Sequence, residues 1–163
     1  MHPFRIFWLS VLAATVAGTV HAHGDKHAAP AKVDYSKAEQ KPFSIAADPN
    51  KADRVVRIEM NDTMRFTPSE LKVRLDATVR FEATNAGKQM HEMVLGTMDE
   101  LKSHAELMRR FPNMEHEEPH MAHVAPGNTV VMGWRFNKAG TFYFGCLEPG
   151  HFEAGMFGRV VVQ

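Results

Sequence analysis

The stretch GTFYFGCLEPGHFEAGMFGRVVV, residues 140–162, decides how the rest of this chain is read. Its two ends, GTFYFGC and FGRVVV, have the aromatic and β-branched content of short strands, and Pro149-Gly150 between them is turn chemistry. The loop they enclose carries Cys146, His151 and Met156 at even intervals, and Cys146 is the only cysteine in the chain. A thiol, an imidazole and a thioether on one hairpin loop are soft and borderline metal donors.

The compartment bears on what a lone thiol can do. The N-terminus MHPFRIFWLSVLAATVAGTVHA has one arginine, an apolar run from about Ile6 to Val20 and a small-x-Ala pattern at Val20-His21-Ala22. That pattern predicts a signal peptide over residues 1–22, because the apolar run is shorter than the ~20 residues a spanning helix needs. No membrane anchor is expected after its cleavage, and the mature chain would start at His23 in the periplasm. A single cysteine there cannot pair within its own chain, so Cys146 is expected to be either buried and inert or held by a metal.

Composition excludes several classes. The 19 basic and 19 acidic residues cancel, which gives no electrostatic footprint for nucleic acid. The unusual entries are 11 Met and 10 His among 163 residues.

Working outward from the loop, residues 23–42 (HGDKHAAPAKVDYSKAEQKP) are polar and Ala/Lys/Pro-rich, and predict a flexible His-containing tail. From Phe43 the texture changes. RVVRIEM (54–60), ELKVRL (70–75), TVRFEAT (78–84), MHEMVL (90–95) and NTVVMGWRF (128–136) are short runs, several alternating apolar and polar with the period of a half-buried strand. With the two strands of the opening stretch they predict an all-β sandwich or barrel over residues 43–163. One segment differs: in GTMDELKSHAELMRRFP, Thr97 and Glu100 form a capping box, and Met98, Leu101, Ala105 and Met108 recur at helical spacing until Pro112. A helix between Gly96 and Phe111 is therefore expected, with Met98 and Met108 read as core.

Thiolate, two imidazoles and a thioether are the ligand set of a mononuclear copper electron-transfer site. Cys146, His151 and Met156 supply three of these. The second imidazole must come from elsewhere, and His91, after the Asn85-Ala86-Gly87 turn and at the start of a strand, is the best-placed candidate.

From about residue 54 to the end the sequence resembles a cupredoxin. The carriers are FTPSELKVRLDATVRFEATN, then QMHEMVL, then GTFYFGCLEPGHFEAGMFGRVVV with its C-x4-H-x4-M motif. The resemblance implies a Greek-key β-sandwich and a type 1 copper centre with His91, Cys146 and His151 equatorial and Met156 axial. The four residues between His151 and Met156 are at the long end for that family.

A second feature lies outside this motif. Between Met90 and His123 there are five histidines and six methionines, densest in MRRFPNMEHEEPHMAHV. Met114, His116, His120, Met121 and His123 are read as a polar, Pro-broken loop offering accessory copper ligands, and His23 and His27 of the tail as further ones. A ~20-residue tether reaches about 25 Å, enough for the tail to meet this loop. This insertion, the tail histidines and the Cys loop resemble the periplasmic cupredoxins associated with copper tolerance more than plastocyanins or azurins.

Two functions compete on the sequence. One is copper tolerance, by binding and redox buffering of copper ions at the centre and at accessory sites, with a periplasmic redox partner or a copper exporter as protein partner. The other is a dedicated electron shuttle between periplasmic redox enzymes. A copper oxidase or nitrite reductase is a third, weaker reading: Cys146 is flanked by Gly145 and Leu147, not by the histidines that would lead to a second copper cluster, so no enzyme activity is expected beyond a copper-oxidising one that such a cluster does not support.

Overall fold

The structure is a computed structural model that describes residues 33–112 and 117–163. The predicted signal peptide, and the candidate ligands His23, His27, Met114 and His116, lie outside the described residues.

Among the described residues eleven strands and one α-helix run in the order β1 (Gln40–Lys41), β2 (Ser44–Ala46), β3 (Arg54–Asn61), β4 (Arg65–Thr67), β5 (Glu70–Val73), β6 (Thr78–Asn85), β7 (His91–Gly96), α1 (Met98–Arg110), β8 (Met121–Val124), β9 (Thr129–Arg135), β10 (Gly140–Gly145) and β11 (Phe157–Val162). They form two sheets, one in the order β1-β2-β9-β6-β3-β4 and the other β5-β11-β10-β7-β8. Among the described residues only β3 with β6 and β5 with β11 pair in parallel; the other ladders are antiparallel, some between chain neighbours (β1/β2, β3/β4, β10/β11) and some between distant segments (β2/β9, β6/β9, β7/β10), as in a Greek-key sandwich.

The alternation read in the sequence is what buries one face of each sheet. β3 turns Val56, Ile58 and Met60 inward, and β6 turns Val79, Phe81 and Ala83 inward beside them. Trp134, Phe136 and Phe144 complete the core, and the Trp134 indole N–H donates to the Phe43 carbonyl at 2.8 Å while Phe43 stacks on its ring. β7 is buried on both faces. Met93 and Leu95 enter the sandwich core, while Val94 on the other face joins Leu101, Ala105 and Met108 of α1 together with Leu147 and Phe152. The helix is thus a lid on the outside of β7, held by the apolar stripe its sequence displays. Its N-terminus is the expected capping box, with Thr97 and Glu100 bonding each other's main-chain N–H.

Two expectations need correction. The flexible tail was expected to extend through Pro42. Instead the chain packs from Tyr35: Asp34 caps a short helical turn over Tyr35–Lys37, Tyr35 and Ala38 lie against the core, and β1 pairs with β2. The polar loop was expected to include Met121 and His123. Instead Met121–Val124 is strand β8, paired with β7 at the sheet edge, and Ala122 and Val124 point into the core. The small-polar-small alternation in MAHV is too short to stand out beside its Pro and Glu neighbours.

Candidate metal centre

Strands β10 and β11 place the loop that carries Cys146, His151 and Met156. Their antiparallel ladder ends at Gly145 opposite Phe157, so the chain leaving β10 must return at once. It does so through a compact, self-bonded turn. The Cys146 N–H donates to the Met156 carbonyl, the Met156 N–H to the His151 carbonyl, and the His151 N–H to the Glu148 carbonyl, each at 3.0 Å. Gly150, following Pro149, has φ +86°, a conformation that only glycine adopts without strain. This turn folds His151 back beside the thiol.

His91 comes from the first residue of β7, the strand next to β10. In consequence Cys146 Sγ lies 3.3 Å from His151 Nδ1 and 3.9 Å from His91 Nδ1. The sulfur and the two ring nitrogens all lie within 4.8 Å of one another, and among the described residues they form the one group of three or more His, Cys, Asp or Glu that does so. Cys146, His91 and Met156 are fully buried, and His151 is partly exposed. Met156 shares the sandwich core with Cys146.

Burial keeps a proton on this thiol until a cation takes its place. Burial pushes the Cys146 thiol up to about 12, against main-chain N–H donors from Glu92 and Glu148 that favour the thiolate. Burial, and the nearby His91, lower the pKa of His151, which keeps its imidazole neutral and its lone pair available. A buried thiol beside two imidazoles and a thioether is a donor set for a soft or borderline cation, and copper fits it.

Two carboxylates that sequence reasoning missed support these ligands. Glu92 is 3% exposed, and its side chain accepts the Leu147 N–H at 2.9 Å through Oε1. Its Oε2 lies 3.1 Å from His123 Nδ1. Asp62, in the turn after β3, places Oδ1 3.2 Å from His91 Nε2. Neither contact has a signal in spacing, because each joins segments brought together only by the sheet.

Among the described residues, the remaining candidates His120, Met121 and His123 do not converge. His120 is buried against Phe43, with ring centroids 5.3 Å apart, and its Nδ1 makes no hydrogen bond although Glu118 Oε2 is 3.4 Å away. Met121 packs half-buried against the helix cluster, and His123 lies on the exposed side of β8 with Glu92.

Comparison with known proteins agrees with this geometry. The chain is similar to the copper-resistant cuproprotein CopI of Rubrivivax gelatinosus, 48% identical over 164 residues and covering 100% of this chain and 97% of that protein. The protein of the same name from Pseudomonas aeruginosa is 28% identical over 162 residues, covering 82% and 89% of the two chains. Among solved structures, reduced auracyanin from Roseiflexus castenholzii superimposes with a TM-score of 0.59 at 17% identity, over 69% of this chain and 98% of that one. Auracyanin B gives 0.58 at 19% identity, over 72% and 94%, and both likenesses speak to the fold. The family model for copper binding proteins of the plastocyanin/azurin family matches residues 52–163. With the His91, Cys146 and His151 cluster inside that span, the chain belongs to the plastocyanin/azurin family of copper binding proteins, and copper is the metal its donor set fits.

Proposed function

We propose that the chain is a periplasmic copper-tolerance protein built on a mononuclear type 1 copper centre. His91, Cys146 and His151 would hold the copper with Met156 beside them, and the protein would protect by binding copper and buffering its redox state. The observation that carries this reading is the buried convergence of one thiol and two imidazole Nδ1 atoms beside a buried thioether. Full-length similarity to a protein named for copper resistance supports tolerance as the role. The N-terminal sequence supports export to the periplasm.

Copper bound there supplies a one-electron Cu(II)/Cu(I) couple. The chain's own residues do the rest. The self-bonded loop and the Glu92 carboxylate hold the ligands in one arrangement, so little has to reorganise when the charge changes. Burial excludes water from Cys146 and protects the thiol from oxidation. His151, the one partly exposed ligand, is the surface edge through which an electron would pass. That exposure also favours the second reading, a dedicated shuttle between periplasmic enzymes. In the tolerance reading the candidates outside the described residues, His23, His27, Met114 and His116, bind further copper, and a redox partner or copper exporter takes the electron or the ion.

Copper stoichiometry separates the two. The mature protein is loaded with Cu(I) and with Cu(II), and bound ions are counted in wild type and in Cys146→Ser. Tolerance through accessory sites predicts more than one ion in wild type and retained ions in the variant. One ion in wild type and none in the variant would remove the accessory sites and leave the shuttle.

A further inference from the structure

The two ring nitrogens of His91 face different partners. Nδ1 lies toward Cys146 Sγ at 3.9 Å, while Nε2 lies 3.2 Å from Asp62 Oδ1. His91 is fully buried, so this carboxylate is what satisfies the nitrogen turned away from the thiol.

Asp62 is itself held from the far side. The Lys88 N–H donates to both of its oxygens, at 2.8 Å to Oδ2 and 3.1 Å to Oδ1, and the Gln89 N–H donates to Oδ1 at 3.3 Å. The Lys88 N–H is the main reason the Asp62 carboxyl sits below the usual range, and it keeps the group ionised. The turn can close this tightly because residue 87 is glycine: a Cβ there would collide with the Asp62 carboxylate. The turn after β3 and the turn before β7 are thus locked onto one another, with His91 as the third member.

Building on the type 1 reading above, we propose that Asp62 is a positioning residue of the copper centre, fixing His91 as the Nε2–H tautomer with Nδ1 as donor, and biasing the centre toward Cu(II). The physical argument has two parts acting in the same direction. An imidazole that donates its N–H to a carboxylate is a more basic ligand at its other nitrogen. A fixed negative charge near the metal stabilises the ion of higher charge more than that of lower charge. Both lower the reduction potential, which suits a protein that holds copper in the cupric state.

The test is a redox titration of copper-loaded wild type, Asp62→Asn and Asp62→Ala, followed through the visible thiolate-to-copper band. Asp62→Asn removes the charge at constant shape, on a side chain that is 33% exposed, and Asp62→Ala removes charge and acceptor together. The band survives in both, and the preference for Cu(II) over Cu(I) falls by about tenfold, at the lower end of the roughly 10–100-fold effect that outer-shell partners of metal-bound histidine have on metal affinity. Tenfold is about 59 mV upward for one electron. Gly87→Ala, which displaces the carboxylate without altering its charge, moves the potential the same way. Potentials unchanged in all three variants, with the band intact, overturn the role of Asp62 alone. A wild type that binds copper without a thiolate band overturns the type 1 reading and this inference with it.

Discussion

The main-chain N–H of Glu92 points at Cys146 Sγ from 3.4 Å, so the residue after one candidate ligand braces another that lies 54 residues further along the chain. The Glu92 side chain repeats the link one residue on, by accepting the Leu147 N–H. Removing the carboxylate leaves that buried N–H without its partner, and an unsatisfied buried donor costs about 1–3 kcal/mol. Glu92→Ala is therefore expected to lower the unfolding free energy of the copper-free protein by an amount in that range. Glu92→Gln, which keeps an acceptor, loses less. Denaturant titration of both variants checks the order, and equal losses would contradict the anchoring role.

The pairing of Gly158 with Phe144 across β10 and β11 makes a different demand. A Cβ at Gly158 would run into the fully buried Phe144 ring and the Ser69 carbonyl. Gly158→Ala is expected to destabilise by about 1–3 kcal/mol, as overpacking of a filled core does. Thermal and denaturant unfolding read this directly. A loss within about 0.5 kcal/mol, the range of an ordinary surface substitution, would show that the strand pair has room the structure does not display.

His120 gives the acid side of the stability profile. Burial against Phe43 and Trp134 lowers its pKa, and the groups that face it are Glu118 and Glu100, which oppose the shift, and Lys41 and His104, which add to it. A histidine whose folded pKa is depressed contributes stability that is complete above its unfolded value, about 6.5, and is lost as pH falls through the folded one. Unfolding free energies measured from pH 7 down to pH 5 are thus expected to fall less steeply in His120→Phe than in wild type at the same copper load. Parallel curves would contradict this.

Much of the fold and centre was legible in the sequence, for reasons tied to particular residues. Cys146 and His151 could be read because a single loop carries both, and spacing within a loop survives as spacing in sequence. The helix could be read because Thr97, Glu100 and the Leu101, Ala105, Met108 stripe are local signals. The alternation of β3 and β6 was visible for the same reason. Asp62 and Glu92 were not legible: their partners, His91 Nε2 for one and Leu147 N–H and His123 for the other, depend on which strands become neighbours. β8 was missed because four residues of edge strand, following Pro119, look like the loop they end. Tyr35 was read as part of a tether because one aromatic in a polar run gives no period, although it finds the core.

In the function proposed here, Cys146 binds copper as a thiolate beside His91 and His151. Visible absorption of the copper(II)-loaded protein, wild type against Cys146→Ser, tests it most directly. An intense thiolate-to-copper band is expected in wild type and none in the variant. A band of equal intensity in both would contradict it, by removing Cys146 from the centre.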